Sequence, residues 1–340
     1  MELLQLRVED EREQFRRRMK EEMYGELAEV LKYKKVENRT KPVSTTLPED
    51  CRIQRHRHPD PLKEMPELPA RPPEFKPRKW YTQERYEVME INPEDFMWRE
   101  KVKIGHELIK IHEKHLAWTD EERGALKEEY FDPVKMGVIS HEPWVEKSIP
   151  IAPGIRQPVI RAVRDKVTSG VYEPSNSSYR SAIFPVPKRD GTIWIVHNLQ
   201  SLNRVSIKDA AIPPVTDQMA EAFGGASCYA TLDLYVAFDQ RRLDVSSRDL
   251  TTFSTPLGTF RLTVIPMGWT NSFQIMHGDI THILQDKIPD HTIPYADDVP
   301  IKGPKTRYEL EGGGYETHPD NPRVRRFVWE HLNNVNRILH

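Results

Sequence analysis

Apolar positions define three regimes along the chain. Within the charged first 36 residues, Phe15, Met19, Met23, Leu27 and Leu31 recur every four positions. That spacing draws one narrow apolar stripe down a helix and leaves charge on the other faces, which suits a solvated helix or a partner-helix seam. Residues 41–80 then carry nine prolines and almost no aliphatic run, the texture of an extended linker. The pattern assigns 1–80 to a charged helix and Pro-rich linker, partly disordered. Helical periodicity returns over 93–116, where Phe96, Val102, Ile104, Leu108, Ile109 and Ile111 alternate with charge, and makes 81–150 a helical lead-in.

From 151 to 340 the segments shorten and mix. Ile160 to Val167 predicts a short helix and Ile183 to Val186 a strand. Lys188-Arg189-Asp190-Gly191 has the composition of a hairpin turn, and Thr192 to Val196 returns as its second strand. Cys228 to Leu234 predicts a further strand. Thr292 to Ile301 is strand-type sequence interrupted by two acidic residues. No internal repeat is present.

Composition narrows the function classes. The 340 residues are 37% hydrophobic and 30% charged, with a net charge of −2, so the overall charge points to no partner. Between Pro150 and Ala210, however, nine Lys/Arg stand against four Asp/Glu, a local excess of +5. Two distant cysteines, Cys51 and Cys228, exclude a disulfide framework and a cysteine zinc ribbon. His56 and His58 lie close together, but in an Arg/Pro-rich stretch without a nearby cysteine, which does not make a metal site. No apolar window reaches the ~18 residues of a membrane span, and the start (Glu9, Asp10, Glu11, Arg12) does not read as a signal peptide. The expectation is a soluble, intracellular, cytoplasmic protein with no membrane partner and an undetermined oligomeric state.

Two acidic elements carry the chemistry. Tyr295-Ala296-Asp297-Asp298 sits between β-type flanks, and Asp favours turns over strands, so a strand–turn–strand hairpin is predicted. In Tyr229-Ala-Thr-Leu-Asp233, an Asp ends an apolar strand, where a carboxylate is costly unless it meets solvent or a cation. Taken singly, the first fits an acidic surface turn and the second a helix cap. If the two strands pair, three carboxylates converge. Such a cluster repels itself unless hard divalent cations neutralise it, and Mg²⁺ prefers carboxylate oxygen. Two such ions serve in-line phosphoryl transfer.

The ordered set of motifs resembles a known family. Gly170-Val-Tyr-Glu-Pro-Ser-Asn-Ser-Ser-Tyr-Arg180, Val205-Ser-Ile-Lys-Asp209, Ser247-Arg-Asp-Leu-Thr-Thr-Phe253, Ile265-Pro-Met-Gly-Trp-Thr-Asn-Ser272 and Tyr-Ala-Asp-Asp298 are similar, in that order, to reverse transcriptases of gypsy-type LTR retrotransposons, especially fungal ones. The resemblance covers roughly 95–340. It implies an α+β right-hand polymerase fold: a palm with an antiparallel sheet and helices, plus a fingers subdomain, over 151–340. It implies Asp233 and Asp297 as principal ligands of two Mg²⁺ (or Mn²⁺) ions, with Asp298 in support. Phe238 falls at the steric-gate position, where a bulky ring excludes a 2′-hydroxyl; core packing is the plain alternative. Met267 and Gly268 would floor the nucleotide pocket, Lys188 would reach the triphosphate, and Asn271 would contact nucleic acid or serve a turn. The implied partners are an RNA or DNA template with its primer, and a dNTP. Virus-like particles are the implied setting.

The chain departs from that pattern at three places. Trp194 stands where the family has an Arg, and an indole cannot supply a guanidinium's donor fork. Asn198 stands where the family has an Asp. Nothing resembling a thumb or RNase H follows the palm motifs before His340, so truncation after the palm is expected. The aspartates favour RNA-directed DNA polymerase chemistry; the departures favour an inactive remnant that retains at most nucleic-acid binding. An RNA polymerase on the same palm conflicts with Phe238.

Overall fold

The computed structural model describes residues 45–57, 59–92, 96–188, 191–211 and 214–340. The apolar stripe of the first 36 residues and His58 lie outside them. The fold is α+β, and its elements fall around four apolar clusters.

Residues 81–111 supply helices α1 (Gln83–Val88) and α2 (Arg99–Ile111). Helix α1 starts on Thr82, whose side chain accepts from Arg85 N, an N-cap that satisfies one of the orphan donors of the first turn. Helix α3 (Arg156–Thr168) buries Val159 and Val163, four residues apart and therefore on one face. That face packs on strand β1 (Tyr172–Pro174), on the hairpin of β2 (Ile183–Pro187) and β3 (Ile193–His197), and on the strands β5 (Phe253–Thr255) and β6 (Gly258–Leu262). The sheet order is β1-β6-β5, all antiparallel, with β2–β3 a separate two-stranded ribbon. Both predicted strands of the basic hairpin are therefore present.

A second core lies under another antiparallel ribbon, β4 (Tyr229–Asp233) with β7 (Asp298–Lys302). Burial alternates along both strands. Ala230, Leu232, Val299 and Ile301 point inward, and the opposite face stays open, the period-2 pattern of a half-buried ribbon. Beneath it run α7 (Ser272–Ile283) and α8 (Arg326–Leu339), the latter following the short hairpin β8 (Thr317–His318) and β9 (Asn321–Arg325). A third core, with Leu202, Leu243, Ile265 and Trp269, joins α4 (Gln200–Val205) to α7; α5 (Thr216–Phe223) precedes β4 and α6 (Val245–Arg248) precedes β5.

The Pro-rich stretch is extended, as its composition predicts, but its described part is laid on the fold. Arg55 Nε donates to Asp279 Oδ1 at 2.7 Å, Asn336 Nδ2 donates to the Pro66 carbonyl at 2.8 Å and Asn321 Nδ2 to the Ala70 carbonyl at 2.7 Å. Leu68 is buried in the same core as α2 and α8. Prolines suit such a strap because they donate no backbone hydrogen bond and hold the chain extended. No described helix is long and apolar enough to cross a membrane.

Candidate active site

The acidic turn is a tight hairpin end. Asp298 N donates to the Tyr295 carbonyl at 3.0 Å and Tyr295 N to the Asp298 carbonyl at 2.8 Å. Ala296, at the first central position, has φ +54°, as the primed hairpin turns require. A residue with a Cβ pays on the order of 1–2 kcal/mol there. The turn is braced by Phe273 of α7, whose ring meets Tyr295 edge-on at 5.5 Å, and by His277, whose Nδ1 accepts from Ala296 N at 3.4 Å. The first arm of the predicted hairpin is slighter than expected: Thr292 and Tyr295 form only isolated bridges, and the second arm pairs instead with β4.

That pairing brings the acids together. Asp233 and Asp298 are direct partners in the register, both exposed on the open face. Asp297 precedes Asp298 in the turn, and its carbonyl accepts from Leu234 N at 3.0 Å. Partial burial, then the charge of Asp297, then that of Asp298, hold the Asp233 carboxyl above its ordinary range. Asp233 thus feels both of its acidic neighbours. Among the described residues, however, no three His, Cys, Asp or Glu side chains are gathered closely enough to hold a metal ion. The carboxylates are neighbours rather than a closed cage. The donor set, all carboxylate oxygen with one acid raised by its neighbours, fits a hard divalent cation.

The residue after this strand is followed by a second strained turn. Val236 has φ +44°, a genuine outlier for a β-branched residue. It opens the 3₁₀ turn Ala237–Gln240. Phe238 in that turn is half-buried and packs on two apolar clusters, one of which contains Val299 beside Asp298. Met267 is 54% exposed and Gly268 has φ +94°, a conformation that favours glycine. Asn203 clamps this loop: its Nδ2 donates to the Gly268 carbonyl at 3.0 Å and its Oδ1 accepts from Thr270 N at 2.9 Å. Lys188 is exposed at the tip of the β2–β3 hairpin, with Gly191 N donating to its carbonyl at 3.1 Å.

Three other residues acquire definite roles. Asn271 is buried, accepts from Asp209 N at 3.0 Å and donates to the Ile207 carbonyl at 2.8 Å. These bonds tie the start of α7 to the 207–209 segment. Trp194 stands opposite Val186 on the hairpin and is 45% exposed. Asn198 donates to Glu146 Oε2 at 2.9 Å, where Ala182 N also donates at 3.0 Å, and Ser201 Oγ donates to Oε1 at 2.7 Å. An Asp at 198 would face that carboxylate with like charge; the amide supplies a donor instead. Sequence reasoning missed Glu146 and Asn203, because each acts on groups far away in the chain. His56, passed over for metal, is paired with Asp132 at 3.2 Å.

Residues 175–312 match the family reverse transcriptase (RNA-dependent DNA polymerase). They carry a reverse transcriptase domain of the kind found in retrotransposon polyproteins. The chain is 32% identical over 166 residues to the retrovirus-related Pol polyprotein from transposon 412 of Drosophila melanogaster, which covers 46% of this chain and 13% of that protein. It is 26% identical over 169 residues to the corresponding polyprotein from transposon gypsy of the same fly, 48% of this chain and 16% of that protein. It is 26% identical over 156 residues to the transposon Tf2-3 polyprotein of Schizosaccharomyces pombe, 46% of this chain and 12% of that protein. The chain therefore spans a small part of the relatives it matches. Among solved structures, the native prototype foamy virus protease-reverse transcriptase superposes with a TM-score of 0.62 at 20% identity, covering 78% of this chain and 32% of that one. The foamy viral protease-reverse transcriptase in complex with dsDNA gives 0.59 at 19%, covering 78% and 50%. At those identities the likeness is one of fold, that of a polymerase palm and fingers.

Proposed function

We propose that this chain is the fingers-and-palm part of an RNA-directed DNA polymerase from a gypsy-type retroelement, with a fungal element as the finer reading. It would add dNTPs to a primer 3′-hydroxyl on an RNA or DNA template. The observation that carries the proposal is the register of β4 and β7, which sets Asp233 opposite Asp298 with Asp297 adjacent and acting on Asp233. Asp233 and Asp297 are the residues to hold Mg²⁺, with Asp298 in support. When bound, the ions supply charge neutralisation for in-line phosphoryl transfer. Phe238 presents its ring to the sugar, Met267 and Gly268 floor the nucleotide pocket, and Lys188 reaches the triphosphate as a point charge. Support for nucleic acid as partner comes from the foamy viral enzyme, which is solved with dsDNA and with an RNA/DNA hybrid.

The test is primer extension by the purified chain with Mg²⁺ or Mn²⁺, beside Asp233→Asn and Asp297→Asn. Template-dependent dNTP addition that both variants lose supports the proposal; addition that survives both would refute it. A second reading, a remnant that binds nucleic acid without catalysis, is favoured by Trp194, which places an exposed indole on the hairpin where the resemblance implies a phosphate-clamping Arg. Extension gained only by Trp194→Arg would select that second reading.

A further inference from the structure

The residue after Phe238 is held in a way the proposed chemistry does not use. Asp239 Oδ2 accepts from Lys166 Nζ at 2.6 Å, and Arg123 Nη1 lies 3.6 Å from the same oxygen. The three side chains are only 20%, 28% and 10% exposed, so water screens this pair less than a surface pair. Both cations belong to one structural unit. Lys166 is in the last turn of α3, and Arg123 Nη2 donates to the Ser169 carbonyl just past that helix at 3.0 Å. Helix α3 in turn packs through Val159 and Val163 on Ile183 and Ile195 of the basic hairpin.

Packing holds both ends of the turn that carries Phe238, since Ala237 is buried and Arg241, just after the turn, is buried and bonded to Asp279. The turn itself is short. It is four residues of 3₁₀ helix, a form with poor hydrogen-bond geometry, entered through the left-handed Val236. Two further bonds reach it, Gln240 Nε2 to the Tyr235 carbonyl at 2.7 Å and Leu126 N to the Gln240 carbonyl at 2.9 Å. Phe238 itself is only partly buried. Asp239 is therefore the side chain that ties this turn to α3 and through it to the hairpin.

We propose that Asp239, anchored by Lys166 and Arg123, is a positioning residue for sugar selection, fixing the Phe238 ring where it discriminates deoxynucleotides from ribonucleotides. This rests on the polymerase reading above and deepens it. Placement errors of about 1 Å can change rates ~100-fold, so a loosened anchor should open room at the sugar C2′ before it abolishes addition.

The experiment is single-nucleotide addition of dATP against ATP opposite template T by the full chain, with template–primer and Mg²⁺ or Mn²⁺. The proteins are wild type, Asp239→Asn, Asp239→Glu, Lys166→Met and Phe238→Ala, each checked for folding by thermal melting. Asp239→Asn should raise the ATP-to-dATP ratio by about tenfold, within the range that small pocket changes produce. Lys166→Met should shift it in the same direction, and Asp239→Glu, which keeps the charge, should restore most of the discrimination. A purely structural role would lower both additions together and leave the ratio alone. A ratio unchanged in Asp239→Asn while Phe238→Ala raises it overturns the positioning role and leaves the gate standing. A ratio that Phe238→Ala also fails to move removes the gate and this proposal together. No addition by any of the proteins removes the polymerase reading itself.

Discussion

Asp233 and Asp298 face each other across β4 and β7 as direct register partners on the open side of the ribbon. Like charges directly opposite in a ladder destabilise it, so the fold carries this pair, with Asp297 beside it, at a cost. The Asp233 carboxyl is raised by partial burial and by both neighbours. A raised carboxyl favours the folded state when protonated, and that contribution disappears as pH rises through the folded value. Asp233→Asn should therefore melt higher than wild type at pH 7 while losing any nucleotide addition. The difference should shrink below about pH 4, where ordinary carboxylates protonate. Differential scanning calorimetry at pH 7 and pH 4 checks this; a variant that melts lower at both would contradict it.

One half-buried and one buried imidazole set a second pH dependence. His197, beside Tyr172, and His331, on α8 beneath the ribbon, are both pushed down to about 4, chiefly by burial. An unfolded histidine titrates near 6.5, so the unfolded chain takes up protons first. The stability each contributes is present above about 6.5 and is lost as pH falls toward 4. The slope is on the order of 1 kcal/mol per pH unit for each group. Urea melts at half-unit steps should show this fall, and His331→Gln should make it shallower. An unchanged slope in that variant would mean His331 is not kept neutral by the fold.

Asn198 offers a substitution whose sign depends on one partner. Its amide donates to Glu146, which also receives Ala182 N and Ser201 Oγ. Asn198→Asp replaces a donor by a second carboxylate and should cost about 1–3 kcal/mol of stability, as expected when a hydrogen-bonded group loses its partner. Glu146→Gln in the same chain should return part of that loss. A double-mutant cycle by denaturant unfolding measures the coupling, and additive losses would show that the two side chains do not act on each other.

Nucleic-acid binding should depend on salt through the hairpin tip. Lys188 is exposed there, and the segment from Pro150 to Ala210 carries nine Lys/Arg against four Asp/Glu. Replacing both Lys188 and Arg189 by Ala should weaken template–primer binding. Each lost phosphate contact should also reduce the salt slope by about 1. Fluorescence anisotropy between ~50 and ~200 mM salt reads both quantities. Wild-type binding that ignores salt would leave the basic excess without a phosphate role.

Local pattern made the ribbons and the acidic turn readable. The apolar strand that ends on Asp233 and the Asp-Asp pair between β-type flanks are signals within a few residues. So is the turn composition after Pro187. Strands β2, β3 and β4 stand where the pattern put them, whereas the arm before the acidic turn forms only isolated bridges. The supports of the site are different in kind. Asp239 and Lys166 are 73 positions apart, and Asn198 and Glu146 are 52 apart. Each of these residues, taken alone, reads as an ordinary charged or turn residue. Asn271 shows the same limit: its loop was readable, but its bonds to Asp209 and Ile207, 62 and 64 positions away, were not. The Pro-rich stretch was readable as extended, whereas its docking depends on Asp279, Asn321 and Asn336, which no local pattern links to it.

That docking has a consequence for how the molecule is made. Three of the strap's partners lie 224, 251 and 270 positions further along the chain. Contacts of such separation are slow to form, since the closure entropy of the intervening chain must be met first. During synthesis, Arg55, Pro66 and Ala70 wait without their acceptors and donors while the ribbons and α7 assemble. Only emergence of α8 supplies Asn336. The part of the strap that Asn336 holds is therefore seated only once α8 is in place, and its protection from proteolysis should appear late in a refolding time course.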